Sequence, residues 1–261
     1  VAAAGNYVYI VDHHSGMRMI DVSDPAAPTE VGFWDTPGAA YGVAAAKGYA
    51  YVADGSQGVR VIDVSEPVAL AEVGSWDPPA APLGVVLSGS YAYIAEFGDG
   101  GGLCVIDVSE PAAPAEVSFW DTPSQPHDVA VAGDYAYVAD GPSGLRVIDV
   151  SDPVAPAEVG FWDSPGNARD VRVVGDFAYV CEWDSGLRVI DVSDPVAPAE
   201  VGFWDSPGSA YGVDVAGGYA YVADGSEGMH VVDISNPETP TAAGLWWHSG
   251  GAAHGVALVG S

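Results

Sequence analysis

The sequence predicts an all-β protein, a six-bladed β-propeller with four antiparallel strands in each blade. Three observations carry that expectation. An aromatic doublet recurs at Tyr7-Val8-Tyr9, Tyr49-Ala50-Tyr51, Tyr91-Ala92-Tyr93, Tyr135-Ala136-Tyr137, Phe177-Ala178-Tyr179 and Tyr219-Ala220-Tyr221, in steps of 42, 42, 44, 42 and 42 residues. "VIDVS" or a variant recurs at the same period, at Ile20-Asp21, Ile62-Asp63, Ile106-Asp107, Ile148-Asp149, Ile190-Asp191 and Val232-Asp233, and so does a tryptophan at 34, 76, 120, 162, 204 and 246. Residues 144–166 and 186–208 are identical, both reading GLRVIDVSDPVAPAEVGFWDSPG. Copying on this scale marks a structural unit that packs on its neighbours, and a period of about 40–45 residues with four strands is that of a propeller blade.

The four strands, A to D, follow from alternation and turn chemistry. Strand A is the short apolar run of DVAVAGD (128–134), and strand B is YAYVAD, which alternates aromatic and small residues as a pleated surface requires. Strand C, GLRVIDVS, is rich in β-branched residues and stops at Asp-Pro or Glu-Pro, and strand D, AEVGFWD, alternates again and stops near a proline. Between them AGDY, DGPSG, SDPVAP and DSPGNA hold the Gly, Pro, Asp and Ser that turns need. No stretch has a helical period with caps. Asp107, Asp149 and their equivalents precede Ser-Asp-Pro or Ser-Glu-Pro turns and are expected to accept backbone N–H bonds there. The six strand-D tryptophans are expected to pack between blades, with a sugar-stacking ring as the alternative. The strand-C arginines (Arg60, Arg146, Arg188) are expected to pair with an acid of a neighbouring blade. Cys104 and Cys181 stand at different strand positions in blades three and five, and read as small apolar residues rather than a disulfide.

Six such units fill residues 1–261 as one domain. HGVALVGS (254–261) is a seventh copy of strand A, expected to pair with blade one and close the ring, displacing or supplementing residues 1–6. A slice of a longer array is the competing reading. The absence of an initiator methionine and of a signal segment leads to the expectation that something was removed upstream.

The stretches GVRVIDVSEP, GLCVIDVSEP and GLRVIDVSDP resemble the LVIVD repeat of bacterial and archaeal cell-surface proteins, six times over the whole chain. The resemblance implies a propeller and an exported or cell-surface location. It carries no agreed activity and no set of catalytic residues.

Charge narrows the partners. Asp plus Glu number 36 against seven Lys plus Arg, for a net charge of −29. Such a surface repels nucleic acid and anionic membranes, and no segment is apolar for long enough to span a bilayer. The acids are spread through the repeats, as in Asp149, Asp152, Glu158 and Asp163, and read as a solvated surface suited to strong salt or to divalent cations.

Function is expected where the copies disagree. The D–A and B–C connections share one face, and the residue opening strand A varies there as Tyr41, Leu83, His127, Arg169, Tyr211 and His254. The B–C loops diverge too, from DHHSG (12–16) to EFGDGGG (96–102) to EWDSG (182–186), while the opposite face repeats itself. The expected ligand face therefore comprises Tyr41, His127, Asp128, Arg169, Asp170, Glu182, Trp183 and Tyr211, with Asp184 beside them. Trp183 lies outside the tryptophan register, where three copies have Gly55, Gly141 and Gly225, and beside an arginine it suits a sugar or an anion. The competing reading is a rim tryptophan packed over its own hairpin. If the last strand docks on blade one, His248 and His254 approach His13, His14 and Asp12, a donor set for a transition metal, though no local zinc spacing is present. In EFGDGGG only Glu96 and Asp99 are carboxylate donors, too few for a calcium loop.

No nucleophile elbow or phosphate loop is present, and Ser124, His127 and Asp128 are merely sequential. Every strand B ends in an acid (Asp12, Asp54, Glu96, Asp140, Glu182, Asp224), which reads as turn capping. The expected function is a binding or structural module for a surface protein or glycan, with self-association next. The alternative is a metal-dependent hydrolase of lactonase or esterase type, with a cation such as Ca²⁺ in the central channel.

Overall fold

The computed structural model of the chain describes residues 1–247 and 251–258. They form six four-stranded antiparallel sheets, each in simple sequence order. Blade one holds β1 (Ala2–Ala4), β2 (Tyr7–Val11), β3 (Met17–Asp21) and β4 (Thr29–Trp34). Blade two holds β5 (Gly42–Ala46), β6 (Tyr49–Ala53), β7 (Val59–Asp63) and β8 (Ala71–Trp76). Blade three holds β9 (Ala81–Ser88), β10 (Tyr91–Phe97), β11 (Gly102–Asp107) and β12 (Ala115–Asp121). Blade four holds β13 (Asp128–Ala132), β14 (Tyr135–Ala139), β15 (Leu145–Asp149) and β16 (Ala157–Trp162). Blade five holds β17 (Ala168–Val174), β18 (Phe177–Glu182), β19 (Gly186–Asp191) and β20 (Ala199–Trp204). Blade six holds β21 (Gly212–Ala216), β22 (Tyr219–Ala223), β23 (Met229–Asp233) and β24 (Thr241–Trp246). This is the expected six-bladed β-propeller. Its described residues group into two compact units, Val1–Asp121 with Pro153–Ala155, and Thr122–Asp152 with the described residues from Pro156 to Leu258.

Burial explains the strand texts. The middle strands B and C are covered on both faces, so β6, β10, β14, β18 and the strands paired to them read as near-continuous apolar runs. In the first unit Tyr51, Val59 and Val61 pack on Ile94, Cys104 and Ile106 of the next blade. In the second, Tyr137, Leu145 and Val147 meet Val171, Val180 and Ile190 in the same way. Each fully buried Val, Leu or Ile contributes about 1.5–3 kcal/mol, so this repeated layer is the main source of cohesion between successive blades. Cys104 and Cys181 are free thiols buried in it, as expected.

The VIDVS motif has two structural duties. A β-bulge falls inside it in every blade, between the paired positions Met19/Ile20, Val61/Ile62, Val105/Ile106, Val147/Ile148, Val189/Ile190 and Val231/Val232. An extra residue there increases the twist of the outer strand. Its aspartates, Asp21, Asp63, Asp107, Asp149, Asp191 and Asp233, accept the N–H of the serine two residues on at 2.8–2.9 Å, the expected turn bond.

Strand-D glycines set the distance to the next blade. A β-carbon at Gly32, Gly74, Gly160 or Gly202 would stand 2.1–2.2 Å from the carbonyl of Pro67, Pro111, Pro195 or Pro237 in the following repeat. Blade three uses Ser118 instead, whose hydroxyl donates to the Pro153 carbonyl at 2.5 Å. The sixth copy differs: a β-carbon at Gly244 would meet only Val231 of its own blade, and β24 is exposed along its length. The tryptophans follow suit. Trp34, Trp76, Trp162 and Trp204 are half-buried and pack on apolar clusters that span two blades, as expected, whereas Trp246 is 60 % exposed.

One expectation is corrected. The strand-C arginines pair within their own repeat: Arg60 with Glu72 and Asp77, Arg146 with Asp163, Arg188 with Glu182, Glu200 and Asp205. Strands C and D are in register, Arg146 opposite Phe161 and Arg188 opposite Phe203, so each guanidinium lies over its own outer strand, 4.8 and 4.9 Å from those rings. The inner position beside β2 is held by β1, with Ala2 opposite Tyr9. Ala253, just ahead of the seventh strand-A copy, bridges Gly225 of blade six, and within the described part of the copy the Leu258 N–H donates to Asp214 at 2.7 Å. Residues 259–261 of that copy lie outside the described residues.

Candidate functional site

In blades one, four, five and six, backbone bonds join the B–C loop to the entry of the segment that follows the blade. His13 bridges Ala40, Gly141 bridges Ala168, Gly225 bridges Ala253, and the Ala210 N–H donates to the Trp183 carbonyl at 3.0 Å. The D–A and B–C connections therefore do share a rim. The acids ending strand B support it from beneath, in a manner that corrects the expected turn capping. Asp54, Asp140 and Asp224 are fully buried and accept the N–H of Gly38, Ser124 and Gly208 at 2.8–3.0 Å, sixteen residues earlier, so they hold the D–A loop rather than their own turn. Burial pushes the Asp140 carboxyl up to about 6 and raises Asp54 and Asp224 as well. Glu182 is equally buried and binds the Ser164 hydroxyl and Arg188 Nε, the latter at 3.2 Å. Asp12 alone is exposed.

Blade three departs from this plan. Cys104 stands where blades two, four and five have arginine, and neither buried oxygen of Glu96 has a hydrogen-bond partner. Burial above all pushes the Glu96 carboxyl up to about 7, and the Glu116 charge adds to it.

On the rim of the second unit, side chains that open strand A join those of the B–C loops into one string. Gly141 and Gly225 adopt left-handed backbone, φ +53° and +56°, and a β-carbon on Gly225 would come within 3.2 Å of the Tyr211 ring. Blade five carries Trp183 at that place and escapes the left-handed region, because β18 runs on through Glu182. The Arg169 guanidinium then lies over the indole, its carbon 4.5 Å from the ring centroid. Arg169 Nη1 stands 3.3 Å from His127 Nδ1. A guanidinium only donates, so Nδ1 accepts and the ring proton sits on Nε2. Burial, with Arg169 adding to it, pushes His127 down to about 4, which keeps the imidazole neutral. On the other side Tyr211 lies 6.2 Å from Trp183, and His254 lies 4.6 Å from Tyr211. The string thus reads His127, Arg169, Trp183, Tyr211, His254. Trp183 is 36 % exposed.

The other expected ligand-face residues lie elsewhere. Asp128 and Asp170 grip Arg172 at 3.0 and 3.1 Å, and Asp170 also accepts the Val213 N–H at 2.8 Å. Asp214 plays the matching part for Leu258. This ionic ladder ties strand A of one blade to the next. Burial and the Asp170 charge raise the Asp128 carboxyl, while Asp170 above all raises Arg172. Arg172 was missed, although its signal was present: DVRVV replaces the DVAVA of blade four. Glu182 belongs to the buried acids already described. Tyr41 forms a separate pair in the first unit, 4.6 Å from His13, which is 6.0 Å from His14. Of the proposed metal donors, His248 lies outside the described residues, His13 and His14 face aromatic neighbours, and His254 belongs to the string. Among the described residues no group of three or more His, Cys, Asp or Glu is gathered to hold a metal ion.

Solved structures similar to the chain share its fold at low identity. The periplasmic gluconolactonase of Pseudomonas aeruginosa matches with a TM-score of 0.80 and 14 % identity, over 94 % of this chain and 84 % of that one. A functionally unknown protein from Desulfotomaculum acetoxidans gives 0.79 and 12 %, over 94 % and 80 %. The computationally designed Ika8 protein gives 0.73 and 9 %, over 99 % and 76 %. No curated protein matches the chain. The family model for the LVIVD repeat matches six times, at residues 1–36, 37–78, 83–122, 125–164, 165–206 and 207–245, each match covering most of one blade with its VIDVS bulge and turn, and the chain belongs to the LVIVD-repeat family.

Proposed function

We propose that this chain is a binding module of an exported or cell-surface protein, and that its ligand is a glycan held at the string on the rim of blades four to six. The observation that carries the reading is the string itself. In a chain that copies its blades nearly verbatim, five side chains of four kinds meet from blade four to the segment after blade six, and one of them is a tryptophan standing where other blades have glycine. Its indole and the adjoining Tyr211 ring offer apolar faces framed by polar edges, the surface on which sugar rings stack. The location is supported by the kind of protein in which this repeat occurs. A protein partner docking on the same rim is the second reading, and the hydrolase alternative has only a shared fold at 14 % identity behind it.

The test is a panel of oligosaccharides titrated against the protein with tryptophan fluorescence and calorimetry as readouts. Trp183→Ala is expected to abolish binding and Trp246→Ala, on the exposed outer strand, to leave it intact. Equal loss in both variants, or no binding to any sugar by protein with an intact far-ultraviolet spectrum, overturns the reading.

A further inference from the structure

The geometry points to a carboxylate as the group that Arg169 receives, so that the ligand of the string is an acidic glycan built from uronic-acid units. This deepens the proposal above and rests on it. The argument begins with an inventory of cations. Arg18 meets Glu30 at 3.2 Å, Arg60 meets Asp77 at 3.0 Å, Arg146 meets Asp163 at 3.4 Å, Arg172 meets Asp128 at 3.0 Å and Arg188 meets Glu182 at 3.2 Å. Lys47 donates to the Gly89 carbonyl. Among the described residues Arg169 is the one arginine with no carboxylate within ion-pair distance, in a chain with 36 acidic residues. Asp184, its neighbour along the rim, acts on it only at longer range.

The unused part of the guanidinium has a defined shape. Nη1 is committed to His127 Nδ1, and the plane is fixed by the Trp183 face. Nε is buried without a hydrogen-bond partner. Nη2 makes no hydrogen bond within the protein and, unlike Nε, is not sealed from solvent. Nη2 is therefore the donor open to a ligand, and a carboxylate oxygen is the acceptor that completes it with a charge-assisted bond. The neutral His127 orients the guanidinium without neutralising it, a role an aspartate at that place could not fill.

The same surroundings select the kind of anion. A net charge of −29 repels phosphate dianions and densely sulfated chains. A uronic acid carries one negative charge per sugar, and its ring can lie on the aromatic faces that continue from Arg169 through Trp183 to Tyr211, 6.2 Å on. Carboxylate and ring are then read by adjacent elements of one string.

The experiment compares a galacturonate tetrasaccharide, its neutral methyl ester, a neutral tetrasaccharide and a short acidic peptide, all at one ionic strength. The acid is expected to bind about 10- to 100-fold more tightly than its ester, the range of a charge-assisted pair. Arg169→Gln is expected to erase that difference while leaving weak binding of the ester, and Arg169→Lys to restore only part of it. Thermal melts of each variant check folding, and Trp183→Ala serves as a second, independent probe. Equal binding of acid and ester, or discrimination that survives Arg169→Gln, overturns the carboxylate assignment and leaves the glycan reading standing. Binding of the peptide as tight as that of the uronate overturns the sugar class. No binding of any sugar overturns both.

Discussion

At the scale of single residues, the buried carboxyl of Glu96 shows how one substitution in a repeat changes the chemistry of a blade. In blade five the equivalent acid, Glu182, has Arg188 at 3.2 Å, whereas Cys104 leaves Glu96 without a cation. A proton replaces the missing charge. The folded-state value of about 7 lies above the ordinary value of 4.5, so the native state holds its proton where the unfolded chain releases it. That contribution to stability is complete below pH about 4.5 and is lost as pH rises through about 7, with a ceiling of about 3 kcal/mol. Urea unfolding of the wild type against Glu96→Gln, from pH 5 to 9, is expected to show the difference between the two curves changing across this window and flat above it. Cys104→Arg is expected to raise stability above pH 7 and to remove the same slope, whereas Cys104→Ala removes the thiol without supplying a cation and keeps it. A slope that persists in Glu96→Gln would assign the pH dependence to other buried acids, Asp140 first, since its carboxyl is pushed up to about 6.

Among elements, the outer strands carry the clearest positional logic, because four of them contribute a glycine to a contact that tolerates no β-carbon. Gly160→Ala would place a methyl 2.2 Å from the Pro195 carbonyl, backbone against backbone, and neither side can rotate away. The expected cost is about 1–3 kcal/mol, read as a lower urea midpoint. Gly244→Ala is the matched control: its nearest neighbours are Val231 side-chain atoms at 3.6 and 3.7 Å, ordinary contact, so the change is expected to be neutral or slightly stabilising. Similar losses at both positions would mean that the strand, not the joint, is what the glycine serves. Ser118 shows what a side chain at this place requires, namely a hydroxyl that turns the close approach into a hydrogen bond, which alanine cannot do. Strand identity, bulge position and turn aspartates were legible in the sequence because period-2 alternation and Asp-x-Ser spacing act within one repeat. Partners across strands were not. Alternation states the face on which Arg146 lies but not whether the acid it meets, Asp163, belongs to its own blade or the next. Asp128 and Asp170 were read as rim residues because they follow the rim positions directly. Their side chains turn instead to Arg172, two residues further along the neighbouring or same strand. The string from His127 to His254 was legible only as a set of non-identical positions. Its continuity depends on Trp183 filling the space that Gly225 in blade six leaves to Tyr211 of its own blade.

For the whole molecule the dominant quantity is charge. With 36 acids against seven Lys plus Arg, the folded chain concentrates more negative charge than the unfolded one, and that self-repulsion opposes folding. The six turn aspartates deepen it, since the serine N–H and hydroxyl bonds hold Asp21, Asp63, Asp107, Asp149, Asp191 and Asp233 below the usual carboxylate range and therefore ionised. Screening relieves repulsion between exposed charges as the Debye length falls from about 10 Å at 0.1 M salt to about 3 Å at 1 M. The melting temperature is accordingly expected to rise steadily with sodium chloride across that range, by several degrees or more. What separates general screening from specific calcium binding is the shape of the response. Among the described residues no three acidic, histidine or cysteine side chains are gathered around a point, so calcium, magnesium and sodium chlorides at equal ionic strength are expected to act alike apart from a modest valence effect. A saturable rise in melting temperature at micromolar calcium, absent with magnesium, would contradict that expectation and call for a donor set outside the described residues, where His248 stands. The same salt series bears on the ligand. Binding of an acidic sugar to a negative protein is weakened by long-range repulsion and strengthened by the local pair at Arg169, so added salt first raises and then lowers its affinity, while a neutral sugar stays nearly level.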